Sequence, residues 1–540
     1  MVNKQPAKRS NISLDNIRRF IVQHSRVLVL IFGSLSVSAW TMVRFFLKPS
    51  TFDLVGQQVL IRQWLNGFHS GATLGPTNYI LKMLVIYAPF QWLPGSARAK
   101  LVAMTLLINI VTFILIVLLL EKLLKQFFPK IKKGFYLSCL WVSLIAGSMY
   151  WIQFSNSRNL EVVGGLLFIY LAFKYIKRSS VILFVSIVAL LSLLMFADPL
   201  QLYMSVIPML LFGFILYLHE RHDRRKLINW ATLVSAVIIG FFGSRLLTLV
   251  VKRIWNVNFI AVTTHTNGLS LTSIIVHGIV PAIKQIARLY VGGYEYGRYV
   301  EAINLLFVIG ILVIGLGYIL KKLLPIKFVY FVLSFWLLDI GFFIVSGQAL
   351  QNQTSRYLIM TIPIFVLLLA AVVSIKTKLR PLLLLGIVVV IGVNAIALTK
   401  TLAENWNGSF SKDNHIYSVI SYMGNHSYKF AYSSMDSALP TDYFSNGKVT
   451  ILPLTCTGTS LSTSSLFFDK AFFDKTANSV SSVVPLILDG NQIANNPSVC
   501  SLQNIQTQFG NWQASDKLSD GSVVLLYKAS QLTTALSIKP

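Results

Sequence analysis

The chain has 540 residues, 55% of them hydrophobic and only 12% charged, and its mean hydropathy is +0.66. A soluble globular protein carries roughly a quarter charged residues, so a soluble fold is excluded. The net charge of +28 is no nucleic-acid footprint either: from Glu404 onward there are eight Lys, no Arg and nine Asp or Glu, while the 403 residues before it hold 39 basic and 10 acidic groups, set between apolar runs as in cytoplasmic loops.

Residues 1–26 carry Lys4, Lys8, Arg9, Arg18, Arg19 and Arg26 and read as a cytoplasmic N-terminal segment. The first span centres on Gly33. Its small residues, "GSLSVSA", could mimic a signal peptide, but the long basic lead-in reads as an uncleaved anchor. A first external loop follows over 45–100, opening on "TFDLVGQQVLIRQW" with Asp53, Gln57 and Gln58. It holds two juxtamembrane helices, Leu54–Leu65 and Thr77–Leu93. Asp53 can be a helix N-cap, whose side chain satisfies free N–H groups; an acid at a membrane boundary can equally mark a functional site. The segment "TNYILKMLVIYAPFQWLPG" is interrupted by Lys82 and Pro89. Counting it as a span would put Lys122, Lys125, Lys130, Lys132 and Lys133 outside, so it reads as an interfacial helix.

Further apolar runs centre on Ile110, Leu144, Leu167, Val188, Leu210, Ile238, Ile311, Phe335, Phe365 and Val388, making about eleven spans within residues 27–403. The basic loops "EKLLKQFFPKIKK", "KYIKR", "ERHDRRK", "KKLLPIK" and "KTKLR" then all lie inside. Ten acidic residues precede Glu404. Asp15, Glu121, Glu220 and Asp223 fall in basic inner segments, where charge pairing explains them. The other six, Asp53, Glu161, Asp198, Glu295, Glu301 and Asp339, fall in outer loops or the outer parts of spans. Ionisable groups at membrane depth are costly and point to function, so their gathering on one side predicts an outward-facing polar cavity.

Four outer features carry the candidate chemistry. "SNSRNLEVVGG" sets Arg158 and Glu161 three residues apart on one helix face, either as a surface ion pair or as an Arg gripping phosphate beside an orienting carboxylate. "FADPLQ" places Asp198 in the next outer turn, where Asp-Pro also initiates turns. The long loop with His265, Lys284, Arg288, Glu295 and Arg298 contains "YVGGYEYGRY", which suits a sugar or head-group surface and also an interfacial belt. "NQTSRYLIMTIP" puts Arg356 and Tyr357 at a span entrance, as anchors or as a phosphate clamp. There is no HExxH, nucleophile elbow, P-loop, Cys/His metal spacing or internal repeat.

From 404 to 540 the chain turns rich in Ser, Thr, Asn and Asp, with strand-like runs "KVTILPL", "VVPLILDG" and "SVVLLYKA". An odd number of spans places this region outside, as an extracytoplasmic α/β domain. Of three cysteines, Cys139 lies in an apolar span, while Cys456 and Cys500 can pair if the domain faces an oxidising space.

Together "TFDLVGQQ", the Thr77–Gly95 helix, "SRNLE", "ADP" and "TSRY" give a layout that resembles the GT-C superfamily of membrane glycosyltransferases, which includes the protein O-mannosyltransferases and the aminoarabinose transferases of lipid A. The resemblance spans the whole membrane part loosely, and the first loop holds one acidic residue where many members hold two. It implies a polytopic α-helical membrane protein of GT-C type with about eleven transmembrane helices and a C-terminal α/β domain. It also implies an inverting transferase that moves a hexose or pentose from a polyprenyl-phosphate carrier to a glycan, lipid or protein acceptor. The reaction would occur on the outer face of the cytoplasmic membrane of a bacterium. Asp53 would be the general base, Glu161 and Asp198 supporting acids, and Arg158, Arg356 and Arg298 phosphate binders. Some members use a divalent metal and others do not, and no spacing here decides it. A flippase of lipid-linked glycans is the competing class, although its related halves and broken helices have no counterpart in this sequence. A non-catalytic scaffold is the third.

Overall fold

A computed structural model describes residues 14–47, 52–74, 80–129, 133–145, 155–220, 224–259, 274–291, 297–345, 358–406, 415–457, 460–480, 482–488 and 501–536. The chain is a multi-pass helical membrane protein with a sheet-containing C-terminal domain. Each of the eleven predicted centres falls in its own helix: α1 (Leu14–Leu47), α4 (Ala97–Phe127), α5 (Lys133–Leu144), α6 (Ser155–Lys177), α7 (Val181–Ala197), α8 (Leu202–His219), α9 (Arg224–Trp255), α11 (Arg298–Leu320), α12 (Ile326–Val345), α13 (Thr361–Ser374) and α14 (Arg380–Trp406). Between them lie α2 (Phe52–Leu65), α3 (Ile80–Gln91) and α10, which runs from Ile274–Ile279 into Val280–Val291. Among the described residues, seven helices, α1, α4, α8, α9, α11, α12 and α14, are long and apolar enough to cross a membrane.

Local chemistry sets the helix ends. Ser96 and Ser180 stand in extended conformation before α4 and α7, and their hydroxyls accept from Ala99 N at 3.3 Å and Leu183 N at 3.2 Å, satisfying N–H groups the helix cannot. Within the bundle, α7 and α9 approach closely. A Cβ at Gly240 would stand 2.7 Å from Leu191 Cβ, so only a residue without one fits. Far from the C-terminal domain, Phe127, Phe173, Phe212 and Phe331 tie four helices together with ring centroids 5.1 to 5.4 Å apart. There Glu121 pairs with Arg26 and Lys125, and Glu220 with Lys226 and Lys327, so these two acids of the basic loops are taken up by charge pairing; Asp223 and the side chain of Asp15 lie outside the described residues. Helix α13 is buried on every side from Thr361 to Val373 and forms the axis of the bundle; an all-apolar helix is stable only in such a place. Asn304 of α11 and Asn394 of α14 exchange amide hydrogen bonds of 2.9 and 2.8 Å inside it.

The C-terminal domain opens with α15 (His415–Asn425) and builds a six-stranded mixed sheet in the order β5-β4-β3-β6-β8-β7. Central β3 (Phe430–Ser434) runs parallel to both β4 (Thr450–Thr457) and β6 (Val483–Leu488). β5 (Ser460–Thr463), β8 (Val523–Lys528) and β7 (Ala514–Lys517) extend the edges antiparallel. Helices α16 (Met435–Phe444), α17 (Lys470–Asn478), α18 (Leu502–Phe509) and α19 (Ala529–Ala535) flank the sheet. Cys139 is buried and free, whereas Cys456 is disulfide-bonded; Cys500, the remaining cysteine, lies outside the described residues.

This domain docks on one end of the bundle through a shared apolar core. Val59 and Trp64 of α2, Met83 and Tyr87 of α3, Leu101 of α4 and Phe196 of α7 join Leu439, Leu452 and Phe468 of the domain. A short parallel pair, β1 (Thr73–Leu74) with β2 (Asn258–Phe259), continues the contact, and Thr73 also bridges to Leu466. Polar bonds fix the register. Arg62 pairs with the buried Asp442, Asp469 Oδ2 accepts Ser70 N at 2.7 Å, and Tyr443 donates to Ala97 O at 3.0 Å.

Candidate functional site

The polar centre of the bundle lies at the end that carries the sheet domain, and helix α3 brings its cation. This helix is twelve residues long, has a π-helical middle over Met83–Tyr87, and carries Pro89. Such wide turns recur at functional sites because they re-aim side chains. Here Val85 and Trp92 face outward while Ile80, Lys82, Met83 and Tyr87 face in. Lys82 Nζ donates to Glu161 Oε2 of α6 at 2.6 Å, with the two side chains 6% and 2% exposed. An ammonium or a carboxylate alone at this depth would be prohibitively desolvated; paired, each neutralises the other.

Asp198 closes α7 and is fully buried. Its Oδ1 accepts Leu200 N at 3.2 Å and its carbonyl accepts Gln201 N at 3.0 Å, so it does shape the Asp-Pro turn. It also stands close enough to Glu161 to interact with it electrostatically. The chain then re-enters the bundle through a second π-helical turn, Leu202–Val206. Ser205 donates to Gln201 Oε1 at 2.8 Å. One turn after Glu161, Gly165 faces this pair: a Cβ there would stand 2.4 Å from Ser205 Oγ and 2.9 Å from Gln201 Oε1. Two carboxylates, one ammonium, an amide and a hydroxyl thus meet where α3, α6 and the α7–α8 turn converge.

Helix α2 covers the neighbouring ground. Gln57, Gln58 and Gln63 are buried along it; Gln58 accepts from Gln91 of α3 at 2.8 Å, and Gln63 Oε1 accepts Asp469 N at 2.8 Å. Asp53 is the second residue of this helix, and its side chain lies outside the described residues. So does that of Arg158, one turn before Glu161 on α6. Arg356 and Glu295 lie wholly outside them. Arg298 opens α11, is exposed, and joins neither Glu161 nor Asp198 by a hydrogen bond or ion pair. Asp339 is buried within α12 with no hydrogen-bond partner for either oxygen.

The structure therefore brings together Glu161 and Asp198 among the predicted residues, and adds Lys82, Gln201 and Ser205. Lys82 had a visible signal. A lysine inside "ILKMLVIY" is as costly as any buried acid, and the argument that disqualified the segment as a span also marks the lysine as a site residue. Among the described residues, no three His, Cys, Asp or Glu side chains gather as a metal set; beside Glu161 the cation is an ammonium.

No family model matches the chain, and no curated protein matches it in sequence. Its fold does match solved structures. ArnT from Cupriavidus metallidurans superposes with a TM-score of 0.52 at 8% identity, covering 93% of this chain and 98% of that one, both in its apo crystal structure and in that bound to undecaprenyl phosphate. An oligosaccharyltransferase from Archaeoglobus fulgidus, crystallised with zinc and sulfate, aligns over 94% of this chain and 76% of that one at 11% identity, with a TM-score of 0.44. The ArnT match covers 93% of the chain, so bundle and sheet domain together share the ArnT fold.

Proposed function

We propose that the protein is a membrane glycosyltransferase that takes a sugar from a polyprenyl-phosphate carrier and passes it to an acceptor outside the cytoplasmic membrane. The observation that carries this reading is the buried Lys82–Glu161–Asp198 group at the sheet-domain end of a bundle shaped like ArnT. A lipid-linked phosphate is a substrate whose tail needs a bilayer and whose head needs fixed cations at the membrane surface. One solved ArnT structure holds undecaprenyl phosphate. The loops at the opposite end hold most of the basic residues, which supports a cytoplasmic side there and an external side for the sheet domain.

In this reading the acceptor hydroxyl attacks the anomeric carbon and loses its proton to Asp53, a carboxylate carried on α2. Attack from the face opposite the phosphate inverts the anomeric centre. The departing phosphate gathers negative charge, which Lys82, Arg158, Arg356 and Arg298 neutralise in this reading. Glu161 holds the Lys82 ammonium in place, and Asp198 stands beside Glu161 as a second acid. The acceptor is a glycan, lipid or protein that carries a free hydroxyl.

The test is transfer by the purified full-length chain from a radiolabelled polyprenyl-phosphate sugar pool. Asp53→Asn should lower transfer by about 10²–10⁴-fold, the usual contribution of a general base, without changing thermal stability. Transfer that survives Asp53→Asn overturns the base assignment.

A further inference from the structure

The sheet domain holds a second cluster of reactive side chains that sugar transfer does not use. Central β3 ends at Ser434, and the chain passes directly into α16, whose third residue is Ser437. Ser437 Oγ lies 2.6 Å from His415 Nε2, and the other ring nitrogen, Nδ1, lies 2.6 Å from Asp520 Oδ2. Asp520 is itself held. Its Oδ1 accepts Ser522 N and its Oδ2 accepts Ser522 Oγ, both at 3.0 Å, and Ser522 Oγ also stands 3.0 Å from His415 Nδ1. Partial burial pushes the Asp520 carboxyl up, but the bonds from Ser522 and His415 outweigh it and hold the group below its ordinary value. It therefore stands ready as an ionised partner for an imidazolium.

The topology explains why three distant segments meet here. From β3 the chain crosses through α16 to β4 on one side and later returns to β6 on the other. The carboxyl end of β3 is thus where connections diverge, the place at which open α/β sheets hold their sites. Leu488 at the end of β6 pairs with Val523 at the start of β8, which carries the Asp520–Ser522 turn to that same edge. Helix α15 leads down into β3, so its first residue, His415, starts there as well. Ser434, the N-cap of α16, makes no side-chain bond to the first turn, and its hydroxyl has no partner. Ser437 stands in the first turn of α16, at the positive end of the helix dipole, a turn it shares with Asp436.

We propose that Ser437, His415 and Asp520 form a nucleophilic acyl-transfer site that takes short-chain carboxylic esters, an activity separate from sugar transfer. Ser437 Oγ attacks the ester carbonyl carbon as its proton passes to His415 Nε2. Collapse of the tetrahedral adduct breaks the ester C–O bond, and the departing alcohol takes that proton. Water then attacks the acyl-serine, gives a proton to His415, and releases the carboxylic acid as Ser437 recovers its own. Asp520 fixes the ring tautomer and orientation throughout. Ser437 is only 1% exposed, so we assign the site to acyl groups of about acetyl size and not to long acyl chains.

The experiment uses the full-length chain in detergent with p-nitrophenyl acetate, p-nitrophenyl octanoate and a fluorophosphonate probe. Acetate hydrolysis and covalent labelling at Ser437 are expected, both abolished in Ser437→Ala and His415→Ala. Asp520→Asn should slow hydrolysis by about 10³-fold or more. Ser437→Cys keeps the packing and should be alkylated faster by iodoacetamide when His415 is present than in the His415→Ala background. A wild-type chain that remains unlabelled at Ser437, or hydrolysis that persists in Ser437→Ala, overturns the site and leaves the three residues as a packing clamp. Octanoate cleaved as fast as acetate overturns the short-acyl assignment.

Discussion

Lys82 and Glu161 neutralise each other where neither could be solvated. Removing one partner of such a pair leaves a bare buried charge, whereas removing both with apolar replacements costs little. Lys82→Met should therefore destabilise the protein by about 3–5 kcal/mol, and Lys82→Met/Glu161→Met should recover most of that loss. Sugar transfer should stay lost in both, because the cation is gone in both. Thermal unfolding in detergent and the transfer assay together check this; a single variant as stable as the parent would remove the pair from the structural account. At this scale the sequence was half legible. Acidic residues are rare enough in the chain for Glu161 and Asp198 to stand out, and the structure brings them together. Lys82 was hidden among many basic residues, and only its apolar setting distinguished it. The triad-like Ser437, His415 and Asp520 could not be read at all, since serine is common in this domain and the spacing of the three records only how the sheet is wound.

Among the helices, polar residues inside apolar stretches act as register pins. The Asn304–Asn394 pair lies between α11 and α14, with both amides buried and each donating to the other. Asn394→Leu strands the Asn304 amide and should cost about 1–2 kcal/mol; Asn304→Leu/Asn394→Leu should restore much of it. Thermal unfolding of the two variants and the parent forms the cycle that isolates the pair. Element identity was the most legible level of the fold. Long apolar runs give all eleven helices, and the short apolar runs "KVTILPL", "VVPLILDG" and "SVVLLYKA" give β4, β6 and β8. In the sheet domain the strands that escaped notice, β3, β5 and β7, are four or five residues long and rich in Ser and Ala, so periodicity had too few positions to register. The π-helical turns in α3 and α8 leave no period of their own.

Across the whole molecule, helix α2 is the mechanical link between bundle and sheet domain. It carries Asp53 at its start, packs Gly56 against Phe467 and Leu439, and closes with Arg62 on Asp442. Burial raises the Asp442 carboxyl above its ordinary value, and the Arg62 guanidinium offsets part of that rise. A Cβ at Gly56 would meet Phe467 Cβ at 2.8 Å and Leu439 Cδ1 at 3.1 Å. Gly56→Ala should lift α2 from the domain and lower sugar transfer by about 10²-fold, the typical effect of an ångström-scale misplacement. The bundle should unfold at its usual temperature, and hydrogen exchange should rise over Phe52–Leu65. Unchanged exchange with unchanged transfer would break the link. This coupling was not visible in the sequence, because it depends on how residues some four hundred positions apart are brought into register.

The central helix α13 has a consequence for biosynthesis. Fourteen residues make a rod of about 21 Å, short of the ~30 Å hydrocarbon layer. Its longer neighbours α4, α11, α12 and α14 can each rest in lipid as they leave the ribosome, but α13 would pinch the bilayer if left alone. It must wait at the insertion channel until its neighbours open a slot for it, so the most deeply buried helix of the bundle is among the last to find its place.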